Sequence, residues 1–171
     1  MRSFLDRIKA APARGGFRMD DWWVWCGSVI RGEDGLHHMF AARWPRKMPF
    51  FDGYKVHSEI VHAVATNPEG PYEFREQVLA DRGAEYWDGR MTHNPTIHKV
   101  GDTYALFYIG ATFEGEKPTA EEIRAGATKK PNESYSTIRI GLTTSKSVWG
   151  PWDRPPAPCL DIRPGRWDGS V

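Results

Sequence analysis

Apolar residues recur along this chain in short runs, alternating with polar ones or nearly continuous, and Gly, Pro, Asn and Asp separate the runs. That pattern predicts strands joined by turns. A first strand is expected over residues 23–30, a hairpin turn at Gly32-Glu33-Asp34-Gly35, and a second strand over 36–43. Residues 44–54 contain two prolines and read as a loop. A third strand over 57–66 places Ile60, His62 and Val64 on one face, and a fourth follows over 72–79 after a turn at 67–71. The series then repeats at 91–98, 103–110, 136–144 and 152–154. Residues 103–110 are apolar on nearly both faces, as in a strand covered by sheets on either side. Residues 1–19 read as a leader with one short helix at 3–10, closed by the Pro12–Gly16 breaker cluster. Residues 111–135 form the one large insertion. Thr119 caps a short helix over 119–124 there, and the remainder reads as a mobile surface loop.

The two series are copies. When Asp21 is laid on Asp88, Gly27-Ser28-Val29-Ile30 falls on Asn94-Pro95-Thr96-Ile97, and residues 36–40 fall on 103–107 with apolar positions in agreement. Further on, residues 58–66 match 136–144, and each copy closes on Gly-Pro-aromatic, Gly70-Pro71-Tyr72 and Gly150-Pro151-Trp152. Tyr86-Trp87-Asp88-Gly89 returns as Arg166-Trp167-Asp168-Gly169. Repeats of this length built from short strands predict propeller blades. The blade units run over about 20–80 and 86–160, and a third begins at 166, so a fragment of about two blades is expected. Two blades cannot close a ring, so the remaining blades are expected to belong to a longer protein. Pro95 fits the scheme. Proline cannot donate to a ladder and belongs on an edge strand or a bulge, and the innermost strand of a blade is an edge.

Net charge is +1 and the sequence pI about 7.8, so no bulk field favours nucleic acid or an anionic membrane. No apolar stretch approaches the roughly 20 residues that span a bilayer. The first residues lack the apolar core of a signal peptide. A cytoplasmic location is expected, or a secreted one if an export signal lies upstream. Cys26 and Cys159 are too few for a disulfide framework or zinc site and read as small packed residues. Eight tryptophans are present. Most are expected between blades. One or two, Trp25 among them, could instead stack on a sugar ring.

The combination of Asp-Gly-Leu-His-His-Met-Phe, Ser-Glu-Ile-Val-His-Ala-Val, Glu-Gly-Pro-Tyr and Asn-Pro-Thr-Ile resembles the five-bladed β-propeller glycosidases: arabinanases and xylosidases of glycoside hydrolase family 43, invertases and levansucrases. The resemblance runs from about Trp22 to Val171. It implies an all-β, five-bladed propeller that cleaves glycosidic bonds with carboxylates facing one another across the channel. It also implies a carbohydrate partner and no cofactor. Family members place an Asp on the first innermost strand, a second Asp before a Pro on a later one, and a Glu acid in a middle blade. This chain departs twice. Cys26-Gly27-Ser28 stands at the first place, and His93-Asn94-Pro95 carries an amide at the second.

Asp21, Asp88 and Asp168 fall at one place in successive repeats. On the functional reading Asp21 or Asp88 is the water-activating base, and Asp168 holds sugar or tunes the acid, which by analogy is a Glu beyond Val171. On the structural reading each caps a turn at a strand start, as an Asp before Gly commonly does and as Asp88 and Asp168 are placed to do. Trp25, Arg90, His93 and Asn94 are candidates for binding, while Arg90 could instead pair with Asp88. His57 and Glu59 read as cross-strand partners and His62 as a core histidine. His37 and His38 alternate in facing and cannot share a metal, and no spacing calls for one. Two alternatives stay open: a glycoside phosphorylase, which needs an Arg, Lys and His cluster in the channel, and a non-catalytic propeller that binds carbohydrate.

Overall fold

The computed structural model describes residues 3, 5–8, 10–163 and 165–166. The chain folds into two antiparallel sheets. The first has order β1 (Trp22–Arg31), β2 (His37–Pro45), β3 (Glu59–Ala65), β4 (Glu73–Leu79). The second has order β5 (Met91–Val100), β6 (Thr103–Ala111), β7 (Arg139–Ser145). The fourth strand expected at 152–154 is reduced to single bridges, Thr144 to Asp153 and Ile140 to Leu160. The prolines at 151, 155 and 156 remove the donors that a longer ladder would need.

The sheets stack face to face. Phe40, Ile60 and Leu79 of the first meet Ile97, Tyr104, Leu106 and Tyr108 of the second, all fully or almost fully buried. Burying each such side chain contributes on the order of 2 kcal/mol. β6 is buried along most of its length, as its apolar run predicted. His62 sits in this core, stacked on Phe40 with ring centroids 4.7 Å apart. Its Nε2 lies 2.8 Å from His38 Nδ1. Three polar links join the sheets at the turn after β1. Glu33 accepts from Tyr104 Oη at 2.5 Å, from Ser147 Oγ at 2.5 Å and from the Val148 amide at 3.2 Å.

The inner edge of each sheet carries the same irregularity. In β1, Trp25 pairs with Ala42 and Ser28 with Phe40, so Cys26 and Gly27 together oppose Ala41. In β5, His93 pairs with Ile109 and Thr96 with Phe107, so Asn94 and Pro95 oppose Tyr108. Cys26 and Asn94 open these bulges with φ of 50° and 48°, the left-handed conformation that begins one bulge type. Asn adopts it readily. Cys does so at a cost of about 1–3 kcal/mol. Pro95 lies in the bulge, where the ladder asks for no donor.

This register corrects the expected alignment. Cys26, not Gly27, is the counterpart of Asn94, and Asp20, not Asp21, falls on Asp88. Between the equivalent pairs Arg31–His37 and Lys99–Tyr104 the first hairpin holds one residue more than the second, so no ungapped shift holds both strands of the hairpin. The later match also slips, by two residues. His62 occupies the place of Leu142, and residues 59–65 that of 139–145.

Three helices differ from expectation or complete it. Residues 44–54, read as a loop, contain the start of α1 (Phe50–His57). His57 therefore lies on a helix and donates from Nε2 to the Pro118 carbonyl at 2.7 Å, while Glu59 does pair across the strand with Arg43. The insertion carries α2 (Ala120–Arg124) with the full capping box from Thr119 and Glu122. It also carries α3 (Lys130–Ser136), started by Pro131 in the first turn. Phe113, Ile123, Pro131 and Ser134 of the insertion are buried, which corrects the expected mobile loop. At the N-terminal end the expected helix over 3–10 is one 3₁₀ turn, Leu5–Arg7.

Candidate functional site

The bulges, α1 and α3 converge on one cleft. Trp25, Cys26, His93 and Asn94 enter it from the inner strands. Phe50, Phe51 and Tyr54 come from α1, Tyr135 from α3, and Trp44, Ile109 and Ile138 fill the wall behind. Its volume is about 300 Å³, at the lower end for small-ligand sites. Trp25, Phe51 and Tyr135 stand at the rim with 51, 73 and 49 % of their surface open. Phe50 braces Trp25 edge-on at 5.4 Å and Trp23 at 5.2 Å. α1 and α3 are held together by the Ser134 hydroxyl, which donates to the Lys55 carbonyl.

None of the lining residues carries a fixed charge. Lys55, which is not among the lining residues, lies over the Tyr135 ring at 5.5 Å and is paired with Asp52 at 3.0 Å. His93 is 5 % exposed. Its ring stacks on Tyr54 at 4.9 Å and meets Trp44 edge-on at 5.6 Å. Burial pushes the His93 imidazole down to about 4, so it is neutral at neutral pH. Its Nδ1 lies 2.7 Å from the Ser58 hydroxyl. The arrangement offers aromatic faces, a neutral imidazole and the Asn94 amide: stacking and hydrogen bonds without charge.

Three of the seven sequence candidates, Trp25, His93 and Asn94, therefore meet in one cleft. Arg90 lies outside it. Its guanidinium donates to the Gly115 carbonyl at 2.8 Å and faces Asp81 at 3.5 Å, not Asp88. Asp21 is exposed and outside the cleft lining, and its carbonyl accepts from the Arg46 amide. Asp168 lies outside the described residues. Asp88 is 0 % exposed. Oδ1 accepts from Arg82 Nε at 2.8 Å and Nη2 at 2.5 Å. Oδ2 accepts from Arg154 Nε at 2.8 Å and the Tyr108 hydroxyl at 2.7 Å. Burial, then the Asp88 charge, drives the Tyr108 hydroxyl well above its ordinary value. With both oxygens engaged, Asp88 ties the connection between the sheets to the second blade. Its carboxylate is held by two arginines and a tyrosine, and not by the backbone amides of an Asx turn.

The reading from sequence missed Phe50, Phe51, Tyr54, Tyr135 and Ser58. Phe50, Tyr54 and His57 recur at helical spacing, which was the available signal, but Gly53 and the flanking prolines masked it.

No protein-family model matches the sequence, and no curated protein sequence does. Solved structures share its fold. Zg3597, a family 117 glycoside hydrolase produced by the marine bacterium Zobellia galactanivorans, matches with a TM-score of 0.65 and 14 % identity over 88 % of this chain and 43 % of its own. The GH43_1 enzyme from Xanthomonas citri, complexed with xylose, matches with a TM-score of 0.53 and 15 % identity over 82 % and 34 %. An endo-1,4-beta-xylanase from Bacteroides thetaiotaomicron gives 0.52 and 18 % over 82 % and 39 %. The chain spans less than half the length of each. At these identities the likeness is one of fold: the two sheets are blades of a five-bladed β-propeller.

Proposed function

We propose, on the premise of this five-bladed propeller fold, that the chain supplies part of the sugar-binding wall of a glycoside hydrolase. The observation that carries the reading is the uncharged aromatic cleft at the paired bulges of the inner strands. Pyranose and furanose rings present apolar C–H faces to aromatic planes and hydroxyls to groups such as His93 and Asn94. Trp25, with half its surface open and its ring braced by Phe50, is the stacking platform.

Bond cleavage by this fold calls for a general acid and a base or nucleophile, both carboxylates. None lines the cleft among the described residues. Asp168 repeats the Trp-Asp-Gly sequence of Asp88 and lies outside the described residues. The cleaving carboxylates then come from other blades of the complete protein. Asn94, an amide where an acid is expected, favours a second reading, a propeller that binds carbohydrate without cleaving it. The phosphorylase alternative draws no support, because Arg90 is engaged outside the cleft.

An assay of the complete natural reading frame against aryl glycosides and neutral oligosaccharides separates the two. Sugar release that does not require phosphate is expected for the hydrolase. Saturable sugar binding with no release would establish the binding propeller, and phosphate-dependent release would reinstate the phosphorylase.

A further inference from the structure

Ser58 is the C-cap of α1 in the first blade, and His93 lies on the inner strand of the second. Two backbone bonds hold them together. The Ser58 amide donates to the Tyr54 carbonyl at 3.2 Å, and the Ser58 carbonyl accepts from the Thr92 amide at 3.2 Å. Thr92 is anchored again by its hydroxyl, which donates to the Leu79 carbonyl at 3.1 Å. The Ser58 side chain has little freedom in this setting and is 2 % exposed. Its hydroxyl has one partner among the described residues, His93 Nδ1.

That single partner fixes the direction of the hydrogen bond. A hydroxyl carries one proton and can also accept, whereas each nitrogen of a neutral imidazole does only one of the two. If Nδ1–H donated to Ser58 Oγ, the buried serine proton would be left without an acceptor. If Ser58 donates, Nδ1 accepts, the buried proton is satisfied, and the ring proton resides on Nε2. No side chain or carbonyl among the described residues meets Nε2, and the ring borders the cleft.

We propose that Ser58 is a positioning residue that locks His93 as the neutral Nε2–H tautomer, so that His93 presents a hydrogen-bond donor to an oxygen of the ligand and does not act as a general base. The tautomer stands on the protein geometry alone. The donor role rests on the sugar-binding reading of the cleft. The lock also couples the blades, because the helix that carries Phe50, Phe51 and Tyr54 sets the protonation pattern of a residue on the neighbouring inner strand.

Long-range proton–nitrogen NMR of the ¹⁵N-labelled protein reads the tautomer directly, with His93→Gln to assign the resonance. The expected spectrum shows His93 Nε2 protonated and Nδ1 unprotonated, with at least about a tenfold excess of this tautomer. Ser58→Ala is expected to release the preference toward a mixture, and Ser58→Thr to restore it. A dominant Nδ1–H form in the unaltered protein, or an unchanged Nε2–H preference in folded Ser58→Ala, would overturn the assignment. If Ser58→Ala does not fold, the unaltered spectrum still decides. For the donor role, His93→Gln is expected to retain more oligosaccharide affinity than His93→Phe. Equal losses in the two variants would remove the donor role, and absence of sugar binding by the unaltered protein would remove the sugar reading while leaving the tautomer in place.

Discussion

Two kinds of buried polar residue divide the labour at the scale of single side chains. Asp88 is a fixed anion between Arg82 and Arg154. Truncating one member of such a set strands the others, which typically costs about 3–5 kcal/mol. Asp88→Ala is therefore expected to lower unfolding free energy by that amount in a denaturant titration, and the isosteric Asp88→Asn by less. An Asp88→Asn protein that is as stable as the original yet loses turnover by orders of magnitude would mean the carboxylate acts in chemistry after all. His62 and His93 are buried neutral. Burial, with the His38 and Arg75 charges added, lowers His62 to about 4, and burial lowers His93 to about 4. Around His62 stand His38, Asp34 beyond it and Glu76 at 3.5 Å. Because both folded values lie below the ordinary 6.5, the unfolded chain binds protons first as pH falls. Stability is thus full above 6.5 and declines between 6.5 and about 4, by up to roughly 3 kcal/mol for each histidine. Unfolding midpoints measured from pH 7 to 5, above the carboxylate range, are expected to fall steadily. A flat profile there would contradict neutral burial.

The helix α1 and the bulges decide the cleft at the scale of elements. α1 reaches the inner strands because Gly53 has no side chain. A Cβ at that position would lie 2.7 Å from Met48 Cβ and 3.1 Å from Trp44 Cδ1. Gly53→Ala is expected to push α1 outward, lower stability by about 1–3 kcal/mol and weaken ligand binding. Unchanged stability in Gly53→Ala would show that the contact yields. The same glycine explains what the sequence concealed. In a linear reading, Gly53 between prolines and aromatics signals a loop, and only the close approach to Trp44 gives it a helical reason. The strands were legible because alternation survives errors of register. A two-residue slip, as between residues 58–66 and 136–144, keeps every side chain on its face. A one-residue slip does not, and so Gly27 stood in place of Cys26 until the bulges were seen. His93 and Asn94 were legible as site residues because the bulge proline marked the inner edge, and Trp25 because an aromatic ring can stack on a sugar. The setting of Asp88 was not legible because Tyr108 and Arg154, 20 and 66 residues further along, meet it only when the second sheet forms, and Arg82, six residues before it, lies in a connection with no periodic pattern.

For the molecule as a whole, two stacked blades present their inner edges side by side, and the Ile97 amide donates to Ser28 Oγ across them at 3.1 Å. Side chains from both blades therefore line one uncharged cleft, and that convergence is the central claim. Titration calorimetry of neutral oligosaccharides against the protein and its Trp25→Ala variant tests it most directly. Removing a stacking ring costs about 1–3 kcal/mol where bases stack on aromatics, so affinity is expected to fall roughly tenfold or more in Trp25→Ala while the unfolding midpoint stays nearly constant, since half of that side chain is open. Oligosaccharide affinity that is equal in both proteins would place the ligand elsewhere and contradict the account.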